Sequence, residues 1–182
     1  MVMNTANKLT ILRMILVPVF MVLMMIEGAW WQTSALIVFV IASITDAVDG
    51  HIARNYNQIT TFGKFMDPIA DKMLTTAAFV VFVAIGRMSP WALMIILVRE
   101  FMVSGIRLLA AADGKVIAAS TLGKIKTVSQ MVAIIAAIIL LNPIFEQTAA
   151  GIITDILIWL STVAAAVSGI EYVAKNIDIL KD

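Results

Sequence analysis

The run Asp46-Ala47-Val48-Asp49-Gly50-His51-Ile52-Ala53-Arg54, followed after eight residues by Gly63 and then by Asp67 and Asp71, places four carboxylates in a chain that is otherwise largely hydrocarbon. Bare carboxylates are costly beside lipid, so four of them on two adjacent apolar segments imply a positive charge held among them.

The surroundings are those of a membrane protein. Of 182 residues, 62% are apolar, and the mean hydropathy is +1.00. The apolar residues fall in long runs rather than in an amphipathic pattern, which marks an integral membrane chain rather than a soluble domain. Cysteine is absent, which excludes a disulfide framework or a thiolate metal site. A net charge of +1 gives no ground for a nucleic-acid partner, and none is expected. The first apolar segment lacks a small-residue cleavage pattern and is followed by further spans, so it reads as retained rather than as a signal peptide.

Six apolar segments, each about 20 residues and so long enough to cross roughly 30 Å of hydrocarbon, are expected near 10–27, 33–55, 62–86, 90–112, 119–142 and 148–174. Turn-forming residues separate them: Glu27-Gly28, Asn55-Tyr56-Asn57, Gly86 to Pro90, Ala112-Asp113-Gly114 and Asn142-Pro143. No linker or repeat divides the chain. The expected fold is therefore all-α and integral to the membrane: one domain over 1–182, six transmembrane helices and a short N-terminal interfacial segment. Lys8, Arg13, Arg54, Lys64, Lys72, Arg107, Lys115, Lys124, Lys126, Lys175 and Lys181 cluster at one set of span ends, whereas Arg87, Glu27 and Glu146 mark the other. The positive-inside rule then puts both termini and the aspartate stretch on the cytoplasmic face. The short polar segment from Met1 to Lys8 reads as a charged flank that holds the first span in register. Trp30-Trp31 reads as an interfacial aromatic anchor, and the methionines read as packing.

On a helix, Asp46 and Asp49 are i and i+3, and Asp67 and Asp71 are i and i+4, so each pair shares a face. An antiparallel pair of spans would bring all four together. Oxygen donors without Cys suit a hard divalent cation such as Mg²⁺ or Mn²⁺, and four carboxylates suit two such ions, an arrangement fitted to phosphoryl transfer. Gly50 lets a ligand approach the backbone, Ala53 leaves room one turn on, and Arg54 suits a phosphate. Gly63 allows close helix approach, and Thr60 offers a hydroxyl. Singly, each residue has an ordinary alternative: an intramembrane Asp serves a transporter's ion site, and Gly or Ala serves helix packing. His51, the sole histidine, is turned away from Asp46 and Asp49 by the helix and reads as a boundary residue.

The spacing D-x-x-D-G-x-x-A-R, eight residues, then G-x-x-x-D-x-x-x-D resembles without a mismatch the signature of the CDP-alcohol phosphotransferases, and the six-span layout is similar over essentially the whole chain. Members of that family move a phosphate-containing group from a CDP-linked donor to an alcohol and release CMP. The resemblance implies that Asp46, Asp49, Asp67 and Asp71 hold two divalent cations, Mg²⁺ or Mn²⁺, and that Asp71 also takes the proton of the acceptor hydroxyl. It implies that Gly50, Ala53, Arg54, Thr60 and Gly63 line the CDP site. It also suggests a homodimer in a bacterial cytoplasmic membrane, with the active site facing the cytoplasm.

Three further stretches look like the bacterial phosphatidylglycerophosphate synthases within that family. They are Asn7-x-Leu9-Thr10-x-x-Arg13, Arg99-Glu100-Phe101-x-Val103-x-Gly105-x-Arg107 and Gly123-Lys124-x-Lys126-Thr127-x-x-Gln130. Ala6 departs from the pattern, where a proline is usual. The implied partners are CDP-diacylglycerol, sn-glycerol 3-phosphate and membrane lipid. Asn7, Thr10 and Arg13 would join the donor site. Arg107, Lys124 and Lys126, with Arg99 deeper, would supply positive charge for the acceptor's phosphate. For Arg99 an internal pair with an acid is an equal alternative, and for the others positive-inside topology alone would place a cation there. Rival acceptors are inositol phosphate, serine and phosphatidylglycerol. A rival of another class is a cation-coupled transporter, which leaves the Gly50-x-x-Ala53-Arg54 spacing unexplained.

Overall fold

The computed structural model describes residues 5–55, 61–115, 117–118 and 120–180. It contains six α-helices: α1 (Thr5–Met25), α2 (Ala29–Asn55), α3 (Thr61–Ala84), α4 (Pro90–Ala112), α5 (Thr121–Leu140) and α6 (Gln147–Lys175), followed by a 3-10 turn over Ile177–Leu180. Helix α1 packs on α2 and α3, α6 packs on α4 and α5, and α2 and α3 both reach α5.

The punctuation read in the sequence acts at the helix ends. Helix α3 stops at Gly86 (φ +73) and α4 at Gly114 (φ +72), a left-handed conformation that only glycine adopts without a Cβ clash. At each, two amides turn back onto the last carbonyls: Gly86 N to Val83 O (3.1 Å) and Arg87 N to Phe82 O (2.7 Å), then Gly114 N to Ala111 O (3.1 Å) and Lys115 N to Ala110 O (2.8 Å). Helix α4 starts with Ser89 as N-cap and Pro90 in its first turn, and Ser120 Oγ caps α5 by accepting from Gly123 N at 3.0 Å. Glu146 caps α6, where bonds from the Ala149 and Thr148 amides hold its carboxyl below the usual glutamate range.

Each helix buries one stripe, and along several of them the stripe changes character. On α1 it runs Asn7, Thr10, Arg13, then Val17, Phe20 and Met24. On α5 it runs Lys126, Gln130, then Ala133, Ile134, Ala137 and Ile138. The apolar parts form one core to which all six helices contribute, with Phe20, Phe39, Phe79 and Phe82 fully buried and the Phe20 and Phe39 rings 5.5 Å apart. The outer faces are apolar as well: Ile15, Val19 and Val22 on α1 and Leu160, Val163, Val167 and Ile170 on α6 are exposed. A bundle apolar outside as well as inside is built for lipid.

Among the described residues, three helices are long and apolar enough to cross a membrane by hydropathy: Asn7–Met25, Thr121–Leu140 and Gln147–Lys175. In α2 the described stretch Ala29–Thr45 is apolar as well, and Asp46 follows it in the sequence. Helices α3 and α4 are interrupted by Asp67, Asp71 and Lys72 and by Arg99, Glu100 and Arg107. Several of these charged residues are among the candidate site residues.

One expectation is corrected at the N-terminus. Helix α1 begins by Thr5 instead of near residue 10, and Asn7 (2% exposed), in the stretch expected as a flank, is buried together with Thr10 (1%) and Arg13 (1%). Three residues on one face at helical spacing pack against neighbouring helices, so a hydropathy reading mistakes their polarity for exposure. Lys8, beside Asn7, is exposed. Trp30 is largely exposed at the start of α2, as a boundary anchor should be.

Candidate active site

A cavity of about 420 Å³ opens between α3, α4 and α5. Asp71 and Lys72 reach it from α3, Arg99, Glu100, Ser104 and Arg107 from α4, and Lys124, Lys126 and Gln130 from α5. Among the described residues five basic side chains line it against two acids, so it carries a net positive field suited to an anion.

The deep part of the cavity is organised by Glu100. Its carboxylate accepts from Lys126 across the α4–α5 contact and from Arg99 Nη1 at 3.0 Å. Lys72 donates to Ser104 Oγ and to the Glu100 carbonyl at 3.5 Å, which ties α3 to α4. Arg99 Nε and Nη2 donate to Ser168 Oγ on α6 at 3.0 and 2.7 Å. Helix α6 admits this guanidinium because its next residue is glycine: a Cβ on Gly169 would stand 2.9 Å from Arg99 Cγ. Buried ions of this kind persist only when paired and hydrogen-bonded.

Toward the end of α4 the cations are freer. Arg107 is exposed, donates from Nε to Tyr172 OH at 3.2 Å, and lies with its guanidinium carbon 5.6 Å from that ring's centroid. Lys124 is exposed at the start of α5. Asp71 is exposed within the cavity and lies within electrostatic reach of Lys126.

The structure therefore brings Arg99, Arg107, Lys124 and Lys126 around one cavity together with Asp71, the grouping expected from sequence. Arg99 has the internal acid partner that was its alternative reading, and it lines the cavity as well. Asn7, Thr10 and Arg13 sit on one face of α1 and do not line this cavity. Gly63 lies inside α3 and is buried. Asp46, Asp49, Gly50, Ala53 and Arg54 fall within α2 and Asp67 within α3, but their side chains lie outside the described residues, as do His51's side chain and Thr60 altogether.

The chain matches the family model described as CDP-alcohol phosphatidyltransferase over residues 3–167. It is 40% identical to the CDP-diacylglycerol–glycerol-3-phosphate 3-phosphatidyltransferase of Bacillus subtilis, covering 98% of this chain and 97% of that protein. The chain belongs to the CDP-alcohol phosphatidyltransferase family. It is also 36% identical to the protein of the same name from Rickettsia typhi, over 93% of this chain and 94% of that one. To a probable phosphatidylglycerophosphate synthase of Mycobacterium tuberculosis it is 38% identical, over 94% of this chain and 81% of the other.

For this member of the family, sequence reasoning passed over two side chains that line the cavity, Lys72 and Ser104, and two that brace its cations from α6, Ser168 and Tyr172. Lys72 counted only as a topology charge, and Ser104, Ser168 and Tyr172 drew no notice. The partners that tie them to other helices lie 28 to 69 residues away, a separation at which no local pattern operates. The one available signal was that Lys72 directly follows Asp71.

Proposed function

We propose that this protein transfers the phosphatidyl group of CDP-diacylglycerol to sn-glycerol 3-phosphate, giving phosphatidylglycerophosphate and CMP. The observation that carries the reading is the cavity that opens Asp71 onto Arg107, Lys124 and Lys126. A small dianionic alcohol needs a proton acceptor at one end and clustered cations at the other. The relatives named for this reaction align over nearly the full chain.

The acceptor's hydroxyl oxygen bonds to the phosphorus that carries diacylglycerol. The P–O bond to CMP breaks, CMP leaves with its electrons, and the hydroxyl proton passes to Asp71. Arg107, Lys124 and Lys126 hold the acceptor's phosphate and so orient the hydroxyl for attack. Lys126 has donors to spare after its bond to Glu100. Arg99 has committed Nε, Nη1 and Nη2 to protein partners and acts behind the other cations.

Asp46, Asp49, Asp67 and Asp71 fit a pair of divalent cations, Mg²⁺ or Mn²⁺. Each pair shares a helix face, α2 packs on α3, and the donors are hard oxygen ligands. Bound there, such ions would stabilise negative charge on the pyrophosphate and on departing CMP. Gly50, Ala53, Arg54, Thr60 and Gly63 would line the CDP site. The buried Asn7, Thr10 and Arg13 support it from α1, which packs on both aspartate-bearing helices. All six helices cross the bilayer with both termini and the cavity mouth on the cytoplasmic face, in a bacterial inner membrane, and the protein works as a homodimer.

Inositol phosphate would use the same cations, so the acceptor needs a direct test. Purified protein is given CDP-diacylglycerol, Mg²⁺ or Mn²⁺, and one alcohol at a time, and CMP release is followed. Glycerol 3-phosphate should give the highest kcat/KM; a faster reaction with inositol phosphate, serine or phosphatidylglycerol would reassign the acceptor. Absence of CMP with every alcohol would leave the transporter reading.

A further inference from the structure

Gln130 stands one turn beyond Lys126 on the inward face of α5, only 2% exposed, and its side chain lines the same cavity as Asp71 and Lys126. Its Nε2 is buried and has no hydrogen-bond partner among the described residues. Leaving a buried amide donor unpaired costs roughly 1–3 kcal/mol. The next inward positions of α5, Ala133 and Ile134, are apolar and belong to packing. A glutamine is therefore an expensive residue at the floor of the cavity unless its N–H groups meet something that enters it.

The chemistry of the visitor narrows what that is. The acceptor assigned under Proposed function has three polar parts. Its phosphate is matched by Arg107, Lys124 and Lys126, and its attacking hydroxyl by Asp71. One neutral oxygen is left, the secondary hydroxyl at carbon 2. A neutral donor adds little to a phosphate already facing several cations, but it is the right partner for an uncharged hydroxyl. We propose that Gln130 Nε2 donates to the 2-hydroxyl of the glycerol phosphate acceptor and so selects a polyol phosphate over a simple hydroxyalkyl phosphate. This rests on the reading of the acceptor as glycerol 3-phosphate.

The test compares two acceptors in each enzyme: sn-glycerol 3-phosphate and 3-hydroxypropyl phosphate, which keeps the phosphate and the attacking hydroxyl and lacks only the 2-hydroxyl. CMP release gives kcat/KM for each. Wild type should prefer glycerol phosphate by about 10- to 100-fold, because an acceptor without the hydroxyl leaves the amide unpaired. Gln130→Leu and the unbranched Gln130→Met should reduce that preference to within about twofold, mainly by slowing the natural acceptor. The ratio is taken within one preparation, so a loss of folded protein cancels. An unchanged preference in both variants, or variants that retain CDP-diacylglycerol binding yet turn over neither acceptor, would overturn the assignment. Wild type that releases CMP with another alcohol and not with glycerol phosphate would instead sink the acceptor reading itself, and this inference with it.

Discussion

Lys126 on α5 donates to the carboxylate of Glu100 on α4, and the same carboxylate receives Arg99 at 3.0 Å. One partly buried acid thus balances two buried cations, with Lys72 close behind. Removing the acid leaves like charges facing one another, whereas removing Lys126 leaves Glu100 still paired. Glu100→Gln should therefore destabilise the folded protein by on the order of 3 kcal/mol, and Lys126→Met by clearly less. Thermal unfolding in detergent, with the double variant to close the cycle, measures both. Equal losses would show that Glu100 is not the hub.

Asp71 is assigned the acceptor's proton. Asp71→Asn preserves shape and should lower kcat by at least about a hundredfold, while CDP-diacylglycerol binding is largely kept. Near-normal CMP release from this variant would remove Asp71 from the chemistry.

Arg107 is braced by Tyr172 through a 3.2 Å hydrogen bond and by its position near the ring. Arg107→Gln should raise the KM for glycerol 3-phosphate by roughly tenfold or more and leave the donor KM nearly unchanged. Tyr172→Phe removes the bond and keeps the ring, so its effect should have the same direction and be smaller. Equal shifts for both substrates would count against a phosphate contact.

Metal dependence is a separate expectation. Chelation with EDTA should stop CMP release, and adding back Mg²⁺ or Mn²⁺ should restore it. Activity that survives thorough chelation would exclude the carboxylate-held cations.

Gly169 offers a test of packing. Gly to Ala within a helix ordinarily gains about 1 kcal/mol in propensity. At Gly169 the added carbon would meet Arg99 Cγ at 2.9 Å, whereas at Gly105 nothing lies within 4 Å. Gly169→Ala should lower the thermal midpoint and Gly105→Ala should hold or raise it; a stabilised Gly169→Ala would show that Arg99 is not seated as described.

The helices were legible because their ends are punctuated. The expected span 90–112 coincides with α4, bounded by Ser89-Pro90 and Gly114, and 148–174 lies within one residue of each end of α6. The start of α1 was not legible, since Asn7, Thr10 and Arg13 are polar yet buried, and burial depends on neighbours far along the chain. The site divides in the same way. Arg107, Lys124 and Lys126 could be grouped from the order of spans and the sign of charge. The seat of Arg99 on Ser168, 69 residues away, could not, because it exists only once α4 and α6 are packed.

The polar ties of Glu100, Lys126, Lys72, Arg99 and Ser168 join α3, α4, α5 and α6 at one level of the bundle. Apolar faces slide past one another in lipid with little preference, so directional bonds of this kind fix the order and rotation of the helices. All of these side chains except Ser168 also line the cavity. Acceptor preference in such a scaffold is therefore free to drift at the rim, through Arg107 and Lys124, or through the single amide of Gln130. A change at Glu100 or Arg99 must first find another way to assemble the bundle.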